Sequence, residues 1–278
     1  MARVLVLGAG LTGGACAALL RGAVCGRVVV WDKARGAGGR MSTSRSARGA
    51  ACSADLGAQY VSPRAGRGSF FDELLSHGIL KPLTAPIEGM VEKEDSCNYM
   101  APQGISAVVK YYLKQSGADV FYEYHVTHIS LRDGKWEISR KTGPPEFFDV
   151  VILTIPVPQI LQLQGDIVNK SPEIGPSVVV HTTVTFGSEH LDSDPAEVQQ
   201  LILSHLESIM PSLPKPASVK CQKWRYSQVT KSVPNCPGHM ILHTQPLLIC
   251  GGDGFTCSNF DGCIDSAMSL AEAVKSHL

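Results

Sequence analysis

The stretch VLVLGAGLTGG, residues 4–14, decides the fold. Four glycines in eleven positions would ruin an ordinary strand or helix, so the chain uses them for something else. Residues 4–7 are a short apolar run of β-formers, the pattern of a parallel strand buried on both faces. Gly8, Gly10 and Gly13 follow at G-x-G-x-x-G spacing. GACAALLRG then reads as a small-residue helix ending near Gly22, and RVVVWD as a second strand closing on Asp32. Each glycine has a separate task in such a β-α-β unit. Gly8 permits the tight turn, Gly10 lets a pyrophosphate approach the backbone, and Gly13 lets helix and strand pack closely. The helix start, with Thr12 in its first turn, offers free N–H groups and the positive end of a dipole. Asp32 lies nineteen residues after Gly13, where an acid accepts hydrogen bonds from ribose hydroxyls. The unit therefore predicts a dinucleotide site.

The next segment narrows the choice of dinucleotide. KARGAGGRMSTS, residues 33–44, carries a second glycine pair followed by a cation, Gly38-Gly39-Arg40. A nicotinamide-binding domain has no use for it there. In flavoprotein oxidoreductases a G-G-R segment after the second strand supplies further backbone donors and an arginine near the FAD pyrophosphate. At the far end, residues 247–250 read as an apolar strand, followed by Gly251-Gly252-Asp253, a loop, and a helix from about Gly262 to residue 278. The start of that helix suits the side of a flavin ring that gains negative charge on reduction.

Composition sets the outer limits. The 278 residues allow one large domain or two intertwined ones, and 44% hydrophobic content supports a real core. The formal net charge is zero, which argues against nucleic acid and against binding an acidic membrane by bulk charge. No apolar run is long enough to span a bilayer. The small, apolar residues 4–20 read as first strand and helix rather than a secretory leader. Nine cysteines, with no C-x-x-C pair, read as thiols packed in a reducing, cytosolic compartment. Metal ligation is not expected. His239 and His243 fall on a strand roughly 13 Å apart, and His125 and His128 on opposite strand faces.

The segments GAGLTGG, WDKA, GGRM, ADLGAQY (54–60), PIEGMV (86–91), APQGIS (101–106), KCQKWR (220–225) and CGGDGFTCSNFDGC (250–263) together resemble the renalase family of FAD-dependent oxidases nearly end to end. The resemblance implies an α/β fold. A Rossmann-type FAD-binding domain would occupy residues 1–75, 102–157 and 247–278. A smaller, interleaved α+β substrate domain would occupy 76–101 and 158–246. It implies noncovalent FAD and oxidation of the 2- and 6-dihydro isomers of NAD(P)H to NAD(P)+, with O2 reduced to H2O2. It carries Gly8, Gly10, Thr12, Gly13, Asp32, Gly39, Arg40 and Asp253 over as FAD contacts, Asp253 on the ribityl chain. Gln59, Asn259 and Gly262 become flavin-side neighbours. His181 and Trp224 become substrate-positioning residues. The family is also described outside cells.

One departure stands out. Family members carry a further strand-rich stretch between the segments 159–167 and 173–183, which here are joined only by VNKSP. The substrate domain is thus expected to be incomplete, with lowered FAD affinity, stability and turnover. Two other functions compete with the oxidase of dihydronicotinamides. One is a flavin monoamine oxidase, for which Cys257 and Cys263 stand near the C-terminal motif but no aromatic pair is evident. The other is a non-catalytic shortened protein that acts by binding a partner.

Overall fold

The continuous apolar run 4–7 forms the end of a strand buried on both faces, and everything else is hung on it. The computed structural model describes residues 2–46, 49–63, 68–84, 97–156, 159–160, 180, 182–209, 219, 221–224 and 226–278. Strand β1 (Ala2–Leu7) leads through the glycine turn to helix α1 (Leu11–Leu20) and back to β2 (Gly26–Trp31), which pairs parallel to β1 with Val4 beside Val28. The chain continues through β3 (Thr43–Ser46) and β4 (Gly49–Asp55), an antiparallel pair, to α2 (Gly68–Ser76). The short pair β5 (Lys81–Pro82) and β6 (Tyr99–Met100) follows, then α3 (Ser106–Ser116) and β7 (Asp119–Phe121). An antiparallel meander comes next: β8 (Val126–Arg132), β9 (Lys135–Arg140) and β10 (Glu146–Phe148). It leads into β11 (Val150–Leu153).

Beyond it lie helices α4 (Val184–Glu189) and α5 (Pro195–Ile209), the hairpin β12 (His239–His243) and β13 (Leu247–Gly251), and helix α6 (Phe260–His277). The main sheet runs β12-β13-β11-β1-β2-β7, parallel except for β12.

The period of two sorts the side chains into two cores. Val4, Val6, Val30, Ile152 and Ile249 face α1, α3 and α6. Leu5, Leu7, Trp31, Val151 and Leu153 face the meander, where Trp136, Ile138 and Phe148 close the layer. The Trp136 indole also donates to Leu247 O at 3.0 Å, tying the meander to β13. Helix α1 is apolar nearly all round because it is sandwiched between α3 and α6. The meander turns at Asp133-Gly134, both at positive φ, as a two-residue hairpin requires.

Three expectations shift. The β-branched run 178–184 reads as a strand; residues 178, 179 and 181 lie outside the described residues, and Val184, at its end, begins α4. The Thr183 hydroxyl caps that helix, accepting from Phe186 N at 3.2 Å, and a good N-cap outweighs strand propensity here. Residues 120–125, VFYEYH, read as a strand, yet the strand stops at Phe121. Glu123, at φ 61, turns the chain so that Tyr124 N donates to Asp32 O. The run 239–250 is a hairpin with an irregularity after Ile241, and β12 joins the edge of the main sheet. Residues 87–92 and the stretch around Lys220 also read as strands; 87–92 and Lys220 lie outside the described residues, and 221–224 are irregular.

Candidate functional site

The site forms at the carboxyl ends of β1 and β13, where open α/β sheets bind ligands. Gly8 sits at φ +118, and a Cβ there would lie 2.7 Å from Thr154 Oγ1. At Gly13 a Cβ would lie 2.0 Å from Gly8 O, so helix and turn touch backbone to backbone. Gly10 is different: a Cβ there would meet nothing within 4 Å. Gly10 is also the N-cap of α1, in extended conformation and with no side-chain cap. The first turn of α1 thus faces open space with donors that no side chain caps, the arrangement that suits a phosphate. The side chain of buried Thr12, in that first turn, bonds the Cys263 sulfur and so ties the start of α1 to the C-terminal segment.

Asp32 anchors the loop from beside it. Its Oδ2 accepts from Ala9 N at 2.6 Å and its Oδ1 from Ala34 N at 2.8 Å, and each oxygen retains a lone pair. The second glycine pair is stitched onto the first. Gly38 N donates to Ala9 O at 2.9 Å, and a Cβ on Gly39 would stand 3.7 Å from Gly10 Cα. Ala58 N donates to Arg40 O at 3.0 Å, which seats the ADLGAQY segment on the G-G-R turn with Gln59 exposed beside it.

The C-terminal segment closes the site. Arg40 and Asp253, 213 residues apart, form a fork-to-fork ion pair: Nη1 to Oδ2 at 2.6 Å and Nη2 to Oδ1 at 2.7 Å. Ser258 Oγ donates to Asp253 Oδ2 at 2.8 Å. Burial alone would raise the Asp253 carboxyl, but the Arg40 guanidinium and the Ser258 hydroxyl together hold it below the usual carboxylate range. Hydrogen bonding to Asp253 raises Arg40 further, against its own burial. Behind this pair, Gly252 N donates to buried Ser266 Oγ at 2.7 Å, and Ser266 Oγ donates onward to Gly238 O at 2.6 Å. Asn259 caps α6, its Oδ1 accepting from Gly262 N at 2.8 Å, while Thr256 Oγ1 donates to Gly262 O at 2.7 Å.

The fold therefore gathers Gly8, Gly10, Thr12, Gly13, Asp32, Gly39, Arg40, Asp253, Asn259 and Gly262 at one end of the sheet. Trp224 is half-buried in the irregular stretch 221–224, and no described contact joins it to the glycine loops. His181 lies outside the described residues. Sequence reasoning missed Thr154, Ser258 and Ser266, serines and a threonine whose partners are set by tertiary approach. A cleft of about 670 Å³ lies away from this chemistry, at the opposite ends of β1 and β2, among Arg3, Arg21, Arg27 and Asp119. Its arginines are engaged by Glu146, Gln115 O and Asp119. Among the described residues no group of three or more His, Cys, Asp or Glu could hold a metal ion, and no helix is long and apolar enough to cross a membrane.

Comparison with known proteins places this geometry. The NAD(P)-binding Rossmann-like domain family matches residues 6–74, the segment from the glycine turn to α2. In the crystal structure assigned as a protoporphyrinogen oxidase of Exiguobacterium sp. 255-15, the same fold recurs with TM-score 0.65 and 13% identity, over all of this chain and 99% of that one. Renalase of Mus musculus is 47% identical in an alignment of 342 residues that takes in the whole of both chains, against 278 residues here. With that identity along its full length, and with two glycine loops and a distant C-terminal segment meeting at one end of a Rossmann-like sheet, this chain belongs to the renalase family of flavin-dependent oxidoreductases.

Proposed function

We propose that the chain holds FAD noncovalently and oxidises the 2- and 6-dihydro isomers of NAD(P)H to NAD(P)+, with O2 reduced to H2O2. The observation that carries the reading is the Arg40–Asp253 pair, which brings the G-G-R turn and the C-terminal G-G-D turn to within hydrogen-bond distance beside the uncapped start of α1. FAD, when bound, supplies the two-electron chemistry, taking hydride from the dihydronicotinamide ring and delivering the electrons to O2. The residues bind and orient. The α1 N–H groups beyond Gly10 and the Arg40 guanidinium hold the diphosphate. Asp32, already fixed by Ala9 N and Ala34 N, accepts from the adenosine ribose. Asn259 holds the α6 start rigid, so that its dipole faces the flavin, and Gly262 lets Cys257 pack against it. Gln59 flanks the ring, and Trp224 and His181 position the nicotinamide. Hydride transfer asks for no acid or base, which agrees with a site built from glycines, one ion pair and backbone donors.

A second element of the reading is that turnover is slow. Val180, Val184, Met240, Ile241 and Leu242, all from the expected substrate domain, stand exposed, Val184 at 72%. Such a surface supports a substrate region with part of its cover missing. The test of the oxidase is a visible spectrum of the purified protein, followed by anaerobic bleaching with each dihydronicotinamide isomer and with monoamines; the rate of H2O2 release in air, against that of a longer family member, tests slow turnover, and equal rates would refute it. Bleaching by the isomers alone supports the proposal. Bleaching by amines alone, or a colourless protein that takes up no flavin, overturns it.

A further inference from the structure

A second cavity, of about 270 Å³, lies between α1, α2 and α3. Residue size makes room for it. Ala15, Ala18 and Leu19 lie on one face of α1, at i, i+3 and i+4, and two of the three offer only a methyl group where α2 and α3 approach. Phe70 and Tyr112 form an aromatic wall, their ring centroids 6.3 Å apart and tilted by 60°. Tyr112 is 2% exposed, yet its hydroxyl has no hydrogen-bond partner among the described residues. A buried donor left unmade is costly. Burial, and then the Glu73 carboxylate, push this phenol above its usual range, so it stays a donor at neutral pH. Nearer the surface stand two opposite charges, each with bonding capacity to spare. Arg21, exposed at the end of α1, gives Nη1 to Gln115 O at 2.8 Å and keeps its Nε–H and the Nη2 protons. Half-buried Glu73 takes the Tyr111 hydroxyl on Oε1 at 2.8 Å, and its Oε2 has no described partner.

We propose that this cavity is a binding site for a small aromatic amino acid, with its ring against Phe70 and the α1 alanines, its carboxylate on Arg21, its ammonium on Glu73 and a ring hydroxyl accepting from Tyr112. An apolar interior with one donor at the back and one charge of each sign in front matches that class. A hydrocarbon would leave both charges unused, and a simple anion would meet Glu73. The dinucleotide reading uses none of these residues, and Arg21 stands at the opposite end of α1 from Gly10. An occupant would bridge three helices and stabilise the fold by mass action.

The test is a calorimetric titration of the full chain, with and without added FAD. The ligands are tyrosine, phenylalanine, tyramine, which lacks the carboxylate, and 4-hydroxyphenylpropionate, which lacks the amine. Tyrosine should bind and raise the melting temperature, and FAD should leave its affinity unchanged. Arg21→Gln should weaken tyrosine about tenfold and leave tyramine unmoved. Glu73→Gln should weaken tyrosine and tyramine by a similar factor and leave the propionate unmoved. Tyr112→Phe should weaken tyrosine and spare phenylalanine. Failure of both amino acids to bind at millimolar concentration would overturn the proposal. So would competition between tyrosine and FAD, or variants at Arg21, Glu73 and Tyr112 that bind every ligand as the parent does. Should a variant fail to fold, the ligand series on the unaltered chain decides. Tyramine and the propionate must each bind about tenfold more weakly than tyrosine, and equal affinities count against the site. A chain that binds tyrosine but no FAD loses the dinucleotide reading and keeps this one.

Discussion

Gly10→Ala separates the needs of the fold from the needs of the ligand. At Gly10 the backbone lies at φ −86, ψ −173, a conformation alanine adopts freely, and no protein atom lies within 4 Å of where the new methyl would sit. Without cofactor the variant should be no less stable than the parent. The stiffer unfolded chain should add roughly 0.4–1 kcal/mol, or about 1–4 °C in melting temperature for a chain of this size. The methyl instead projects into the space where the diphosphate approaches α1. A tenfold loss of affinity is the least such a displacement should produce. At a fixed flavin concentration well above Kd it removes about 1.4 kcal/mol of ligand-induced stabilisation. The flavin-dependent rise in melting temperature would shrink by about 3–6 °C. Melting curves with and without FAD, together with a flavin fluorescence titration, measure both quantities. A Gly10→Ala protein that binds FAD as tightly as the parent would refute the placement of the diphosphate. One that melts lower without flavin would refute the account of the loop.

Gly13→Ala should do the reverse, because its Cβ would lie 2.0 Å from Gly8 O and 2.8 Å from Thr154 Oγ1. Overpacking against backbone should cost about 3 kcal/mol and lower the melting temperature by about 6–12 °C, with or without flavin. Asp253 is held below the usual carboxylate range, so its contribution to stability is whole at neutral pH and fades as the pH falls below about 4. Denaturant titrations from pH 6 to pH 3 should show that loss, and Asp253→Asn should flatten the acid limb. Burial pushes the Cys16 thiol up to about 12 and the Cys250 thiol up to about 11, whereas Cys25 and Cys97 are exposed. A thiol reagent at pH 8 should therefore label Cys25 and Cys97 first, with Cys16 and Cys250 reacting only on unfolding; peptide mapping by mass spectrometry reads the order.

The parts legible in the sequence are those in which one residue type answers one local demand. Gly8, Gly10 and Gly13 announce the turn, the ligand gap and the close packing, and the apolar runs on either side announce β1 and β2. Asn259 as the cap of α6 is a finding of the structure, since the sequence reading began that helix only near Gly262. What escaped were decisions made by distant chain. The Arg40–Asp253 pair joins two turns that nothing local connects, and Ser266 matters only because α6 brings it under Gly252 and Gly238. At Val184 the sequence misled, because its β-branching favours a strand while the preceding Thr183 favours a helix start. The pairing of β12 with β13 was likewise invisible locally, because it is set by the partner strand and not by composition.

The separation of 213 residues between Arg40 and Asp253 has a consequence for biosynthesis. Arg40 leaves the ribosome well before its carboxylate, which is made 213 residues later. Until then the nascent chain shows a helix start with half its clamp. The paired clamp therefore exists only once α6 has docked onto α1, and any ligand that binds it stabilises the docked form over the undocked one.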